Sequence, residues 1–289
     1  MLAAQFDNCR IAVFGAGVMG VDIATMIVSQ GISVTVVDVN SAALERAREG
    51  IAKRMRHAAL AGTVAEGVEP GNVTIAASFS FDSETAAVIE AITERADLKA
   101  GLLAEVSAAL PAGIPVITNT SGIPIEEMAG WAARPAEVVG VHFMNPAYLI
   151  ATVEVVRGPS TGAAALDRVL ELLARLNRKP VVVRDSPGFV TSRLLHPMLN
   201  AAARLVGAGT ATAQEVDALM EGCLGHPVGP LRTADLIGLD NLVDSLAALH
   251  ERTGEESCRP CGVLEEKVRN GHLGRKSGQG FYDYGKEPW

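Results

Sequence analysis

The chain has 289 residues, with 33 acidic side chains against 25 basic ones and a formal net charge of −8. An acidic balance argues against a nucleic-acid partner, because phosphate backbones need a basic surface. No apolar run reaches the roughly 18 residues that cross a bilayer, the first residues lack the basic start and apolar core of a secretory signal, and four cysteines do not make a disulfide framework. The expectation is a cytosolic protein of two domains that handles small molecules.

Residues 10–14 form a short β-branched strand that runs into Gly15, Ala16, Gly17, Val18, Met19 and Gly20, followed by an apolar helical stretch to Gln30 and a helix stop at Gly31. A second strand, 33–37, ends in Asp38. A lone GxGxxG is weak, but strand, glycine turn, helix, strand and terminal acid in this order describe a dinucleotide-binding unit. Gly15 makes the tight turn, Gly17 admits the pyrophosphate to the backbone, and Gly20 packs the helix on the strand. The helix N-terminus, with Val18 and Met19 in its first turn, points N–H groups and the positive dipole end at the phosphates. Asp38 suits the adenosine ribose hydroxyls and repels a 2′-phosphate, and Val39 and Asn40 offer no arginine to receive one. NAD is therefore favoured over NADP. The competing reading is a glycine turn in an α/β fold that binds no nucleotide.

Residues 41–60 predict a helix carrying Arg46, Arg48, Lys53, Arg54, Arg56 and His57. Two readings fit equally: a solvated face paired with Glu45 and Glu49, or a landing site for an anionic substrate handle, with Arg54 among the substrate-binding residues. That handle would be a coenzyme A phosphate or an acidic carrier protein. Strands follow at 73–76, 87–92, 114–118 and 138–143, with a helical stretch at 98–110, an alternation that predicts a parallel sheet with right-handed crossovers. Ligands gather at the carboxyl ends of such strands. One end is followed by Glu90 and Glu94 with Lys99 beyond; another carries Asn119, Thr120 and Ser121, which also read as a helix cap before Pro124.

The stretch 138–156 sets one imidazole and one carboxylate into strand-like apolar sequence. Glu154 lies between Val153 and Val155, and a buried carboxylate needs a partner. His142, across the Asn145 and Pro146 turn, is the nearest candidate. A carboxylate on one imidazole nitrogen fixes the tautomer and makes the other nitrogen the better base. The alternative is a structural histidine, with Glu154 paired elsewhere. A helix at 161–177 and a strand at 180–184 complete the first domain, residues 1–185.

Ser186 followed by Pro187 has the pattern of an N-cap and first helical residue. From there to 289 the pattern is helical, at 189–206, 213–223, 231–252 and 263–269, with Thr212 and Glu215 at capping-box spacing. Such a domain would close one side of the cofactor cleft and offer a dimerisation surface. Cys258 and Cys261 form a CxxC without the second ligand pair of a zinc site, and coincidence explains it best; no metal is expected.

With GAGVMG and Asp38, VIEAITERADLK, NTSGIPI, HFMNP, TVEVV, DSPGFVTSRLL, GHPVGPLRTADLIGLD and GRKSGQGFYDY in this order, the chain resembles the short-chain L-3-hydroxyacyl-CoA dehydrogenases nearly end to end. The resemblance implies a Rossmann-type, mostly parallel sheet domain followed by an all-helical C-terminal domain. It implies His142 as acid/base, Glu154 orienting it, Ser121 on the substrate oxygen, and Asp38, Glu94 and Lys99 on NAD. Asn119 is assigned with the cofactor residues, Asn145 with the substrate, and a homodimer built by the helical domain follows from the same likeness. Three positions depart from the family pattern. Ser192 stands where the family's catalytic asparagine is usual, and Tyr148 and Ala151 stand where proline and lysine are usual. They suggest an acyl group unlike plain hydroxybutyryl, for example a small hydroxyacyl unit on an acyl carrier protein. A non-enzymatic NAD-binding sensor is a second class of reading, which the retained His142 and Glu154 speak against.

Overall fold

The computed structural model describes residues 9–285, and the N-terminal stretch read above for a secretory signal lies largely outside them. The chain divides into two compact units, Met1–Ser186 and Pro187–Trp289. In the first, β1 (Arg10–Phe14) lies inside an eight-stranded sheet of order β3-β2-β1-β4-β5-β6-β7-β8. Its partners are β2 (Ser33–Val37), flanked by β3 (Val73–Ala76), and β4 (Thr85–Glu90), followed outward by β5 (Val116–Thr118) and β6 (Val138–His142). All these neighbours are parallel. Then β7 (Thr152–Arg157) runs antiparallel to β6, and β8 (Lys179–Arg184) parallel to β7. The mostly parallel α/β sheet followed by a helical unit is the expected fold class.

The chain passes from β3 at one edge to β4 on the far side of β1, so β1 and β4 flank the point where the strand order reverses. Crevices for ligands open there, beyond the carboxyl ends of the strands. Helix α1 (Val18–Ser29) is apolar nearly all round and buries every residue from Gly20 onward, as a helix without a polar face must. Helix α2 (Ser41–Leu60) buries only Leu44, Ala47, Ile51 and Ala58, a narrow stripe at helical spacing, and Asn40 caps it by accepting the Ala43 N–H at 3.0 Å. Helices α3 (Ala96–Ala109), α4 (Ile125–Ala129) and α5 (Ala163–Arg175) complete the unit.

The second unit packs α6 (Thr191–Gly207), α7 (Ala213–Leu224), α8 (Pro230–Ile237), α9 (Leu239–Thr253) and α10 (Gly262–Arg269) around Leu199, Leu231, Leu242, Leu246 and Leu264. The Thr212–Glu215 capping box forms: Thr212 Oγ1 accepts the Glu215 N–H at 3.2 Å, and Glu215 Oε2 accepts the Thr212 N–H at 2.8 Å. Two expectations are corrected. Ser186 and Pro187 do not start a helix, because Gly188 and Phe189 adopt φ of 70° and 52° and turn the chain before α6 begins at Thr191. The helix expected at 231–252 is two helices. Gly238, with φ 97°, breaks it, a conformation that L side chains rarely adopt.

Candidate active site

The end of β1 becomes a cradle because three glycines allow what no side chain would. Gly15 has φ +110°, and a Cβ on it would lie 2.4 Å from the Ala91 carbonyl oxygen; a Cβ on Gly20 would lie 1.8 Å from the Gly15 oxygen. At Gly17 a Cβ would meet nothing within 4 Å, so the backbone there faces open space in front of α1. Among the described residues no side chain caps that helix end, and no acid stands in its first turn, which leaves its N–H groups and dipole to an anion. Asp38 fixes the loop by accepting the Ala16 N–H and the Asn40 N–H, each at 2.8 Å. A pyrophosphate at the helix end with a ribose beside Asp38 fits this geometry, so Gly15, Gly17, Val18, Met19, Gly20 and Asp38 would hold NAD.

Beside the cradle, β4 ends in Glu90, the register partner of Phe14. Its carboxylate accepts from the Lys99 ammonium at 2.6 Å, from the Ile92 N–H at 2.8 Å and from the Thr118 hydroxyl at 2.7 Å. Lys99, only 1% exposed, also reaches Glu94 at 3.1 Å. Glu94 accepts in turn from the Thr120 hydroxyl and from the Ser121 N–H at 3.0 Å. Desolvation would raise the Glu94 carboxyl, but Lys99, Thr120 and the Ser121 N–H outweigh it and hold the group below its ordinary range. The structure thus joins Glu94, Lys99 and the Ser121 backbone in one network, with Lys99 anchored beneath it. Glu90, Thr118 and Thr120 are its further members; the sequence pointed to no role for Thr118, and Thr120 read there only as part of a polar turn or helix cap.

His142 closes β6, and antiparallel pairing puts Glu154 directly opposite. The imidazole Nδ1 lies 3.1 Å from Glu154 Oε2, with the residues 8% and 5% exposed. Because β6 runs parallel to β1 through β4 and β5, the imidazole sits at the same carboxyl edge of the sheet as the glycine turn. Asn119, at the end of β5, accepts the Phe143 N–H at 3.0 Å and so fixes the chain just beyond the imidazole. Asn145 is exposed and precedes Pro146 through a cis peptide bond.

Tyr148 takes a place the sequence did not suggest. Its ring is buried in the core and its hydroxyl lies 2.9 Å from His57 Nδ1 on α2, so it turns into the fold. Burial, and then the charge of nearby Asp22, push its phenol above the ordinary range. Arg54 pairs with Asp22 of α1 at 2.5 Å rather than with Glu45 or Glu49. The signal for Asp22 was present, since it is the one charge in an otherwise uncharged helix. Ser192 lies in the first turn of α6, in the second unit, and is buried.

A sheet whose reversal point holds a phosphate cradle, with a carboxylate-paired imidazole at the same edge, is the architecture of a dinucleotide-dependent oxidoreductase. Comparison with known proteins narrows the class. Residues 10–186 match the model of the 3-hydroxyacyl-CoA dehydrogenase NAD binding domain, and residues 188–284 match the C-terminal domain of the same enzymes. A probable 3-hydroxybutyryl-CoA dehydrogenase of Bacillus subtilis is 38% identical over 279 residues, 95% of this chain and 97% of that protein. A 3-hydroxybutyryl-CoA dehydrogenase of Mycobacterium tuberculosis is 38% identical over 280 residues, 95% of this chain and 98% of that one. Among solved structures, FadB2 of M. tuberculosis superposes with a TM-score of 0.89 at 36% identity, covering 96% of this chain and 99% of that one. The (S)-3-hydroxybutyryl-CoA dehydrogenase PaaH1 of Ralstonia eutropha gives 0.85 at 33% identity, with 96% and 99% covered. The chain belongs to the 3-hydroxyacyl-CoA dehydrogenase family and is an NAD-dependent oxidoreductase.

Proposed function

We propose that this enzyme interconverts a short 3-hydroxyacyl-CoA, of the 3-hydroxybutyryl kind, and the corresponding 3-oxoacyl-CoA. The observation that carries the reading is the His142–Glu154 pair, two buried polar groups 3.1 Å apart at the edge of the sheet that bears the cofactor cradle. In the oxidative direction His142 takes the hydroxyl proton, and Glu154 stabilises the imidazolium that results. NAD, held by the glycine turn and Asp38, would supply the acceptor for the hydride from the carbinol carbon. The Ser121 hydroxyl hydrogen-bonds the substrate oxygen, its backbone held by Glu94. Ser192 supplies a second, shorter donor, bridged by water where its reach falls short. Asn145 belongs to the substrate side.

With Arg54 committed to Asp22, the exposed Arg46, Arg48, Lys53 and Arg56 are the residues of α2 proposed to receive the anionic handle. Coenzyme A is that handle in the relatives' names, and an acyl carrier protein is the alternative. A homodimer through the helical unit is part of the reading, supported by its exposed Leu194, Leu205, Leu219, Leu224 and Leu236. A cytosolic location suits four cysteines of which none forms a disulfide.

The test is oxidation of NADH by acetoacetyl-CoA, followed at the nicotinamide absorbance, in the wild type and in His142→Gln. Positioned acid/base catalysis contributes on the order of 10²- to 10⁴-fold, so turnover should fall by that factor with NADH affinity kept. Near wild-type turnover in the variant would overturn the assignment, and an inactive wild type that still binds NADH would favour a sensor. The same assay with an acetoacetyl carrier protein separates the two handles.

A further inference from the structure

The turn that leaves His142 is gripped at one residue by two buried charged side chains. Ala147 donates its N–H to Asp22 Oδ2 at 3.3 Å, and its carbonyl accepts from Arg178 Nη1 at 3.3 Å. The same guanidinium nitrogen donates to the Ile150 carbonyl at 3.0 Å. Asp22 is 1% exposed and belongs to α1, the helix whose N-terminus faces the cofactor cradle. Its other oxygen takes Arg54 Nε of α2, and Gly50 leaves room for that guanidinium, since a Cβ there would lie 3.0 Å from Arg54 Nη1.

A buried N–H needs an acceptor, yet a neutral one would serve without the cost of desolvating a carboxylate. That cost is visible, for burial raises the Asp22 carboxyl above its ordinary range even with Arg54 beside it. An ionised acceptor attracts an N–H more strongly than a neutral one, and this carboxylate is itself fixed by Arg54 Nε at 2.5 Å on its other oxygen. The arrangement therefore favours a fixed position of the turn over cheap satisfaction of its backbone.

We propose that Asp22 is a positioning residue: acting through the Ala147 peptide, it sets the turn beyond His142 against the helix that receives the cofactor, and thereby the alignment of imidazole, substrate and NAD. The role rests on the dehydrogenase reading of His142. A misplacement of about 1 Å can cost on the order of 10²-fold in rate, so loss of the grip should lower kcat by about 10- to 100-fold.

The experiment compares Asp22→Ala and Asp22→Asn in the full chain, well below their unfolding midpoints. It measures kcat and KM with acetoacetyl-CoA, and NADH affinity from nicotinamide fluorescence. Asp22→Ala should lose kcat by that factor with NADH Kd within about two-fold of wild type. Asp22→Asn, which keeps an oxygen for the Ala147 N–H, should recover most of the loss, a rescue that a stability defect alone would not produce in kcat. If Asp22→Ala does not fold, Asp22→Ser, whose hydroxyl is too short to reach, takes its place with the same expectation. The role is overturned if the short variant keeps wild-type kcat, if Asn is as slow as Ala, or if NADH affinity falls in step with kcat. A wild type that reduces no 3-oxoacyl-CoA sinks the dehydrogenase reading and this role with it; an active wild type matched by an equally active Asp22→Ala sinks the role alone.

Discussion

Replacing Glu154 by Gln removes one charge and almost no volume, which makes it the cleanest probe of the proton-transfer pair. The carboxylate oxygen lies 3.1 Å from Nδ1 in a site shielded from water. When His142 takes the substrate proton, its hydrogen bond to Glu154 becomes one between opposite charges, whereas Gln would offer the imidazolium only a neutral acceptor. Hydrogen bonds to charged groups contribute about 1.5–3 kcal/mol, and Coulomb attraction at an effective dielectric near 20 sets a ceiling of about 4 kcal/mol at 4 Å. Because each 1.36 kcal/mol is tenfold in rate, kcat should fall by about 10- to 10³-fold, centred near 10². The upper end applies if the new amide turns its NH₂ toward Nδ1 and selects the other tautomer. Steady-state assays in both directions, with NADH affinity measured separately, would show kcat lowered and cofactor binding kept. A variant with kcat within about three-fold of wild type would refute the reasoning, because the charge would then contribute less than one ordinary hydrogen bond.

Asp38→Ala removes both the proposed ribose acceptor and the anchor of the Ala16 N–H, and NADH Kd by fluorescence titration should rise about ten-fold or more, in line with loss of a charged hydrogen bond. Ser192→Asn introduces the longer amide that the family resemblance implies at this position, and kcat/KM on 3-hydroxybutyryl-CoA should rise; an unchanged value would make the serine neutral. Asp22 gives a pH signature. Burial raises its folded-state pKa above the ordinary 3.8, with Arg54 offsetting only part, so the native state binds more protons than the unfolded one and stability falls as pH rises from about 3.8 through the raised value. Asp22→Asn should lack that fall, and urea unfolding at pH 4 and pH 7 should show the variant gaining on wild type at the higher pH.

What the sequence made legible is what local chemistry decides. The cradle could be read because strand, glycines, helix and acid are contiguous; the clash that demands Gly20 is with Gly15 in the same segment, while the one that demands Gly15 is with Ala91, far along the chain. His142 and Glu154 could be read because one is the lone titratable group of β6 and the other the lone acid of β7, in strands that follow each other in the chain. Arg54 shows the limit. No acid stands three or four residues from it on α2, and it pairs with Asp22, 32 residues away, because only packing of α2 on α1 brings them together. Tyr148 shows the same limit, since a position beside the active-site turn says nothing of which way a ring points. The break at Gly238 was hidden because apolar spacing continues across it from α8 into α9, and a backbone angle leaves no trace in periodicity.

The cross-strand match of His142 with Glu154 also makes turnover a gauge of hairpin registration. Sliding β7 by a single residue against β6 would swing the acid to the opposite side of the sheet, and no intermediate offset keeps it near the ring. A preparation should therefore contain competent and dead molecules rather than a continuum of weakened ones, and the fraction that completes a single stoichiometric turnover would count the chains that set this hairpin correctly.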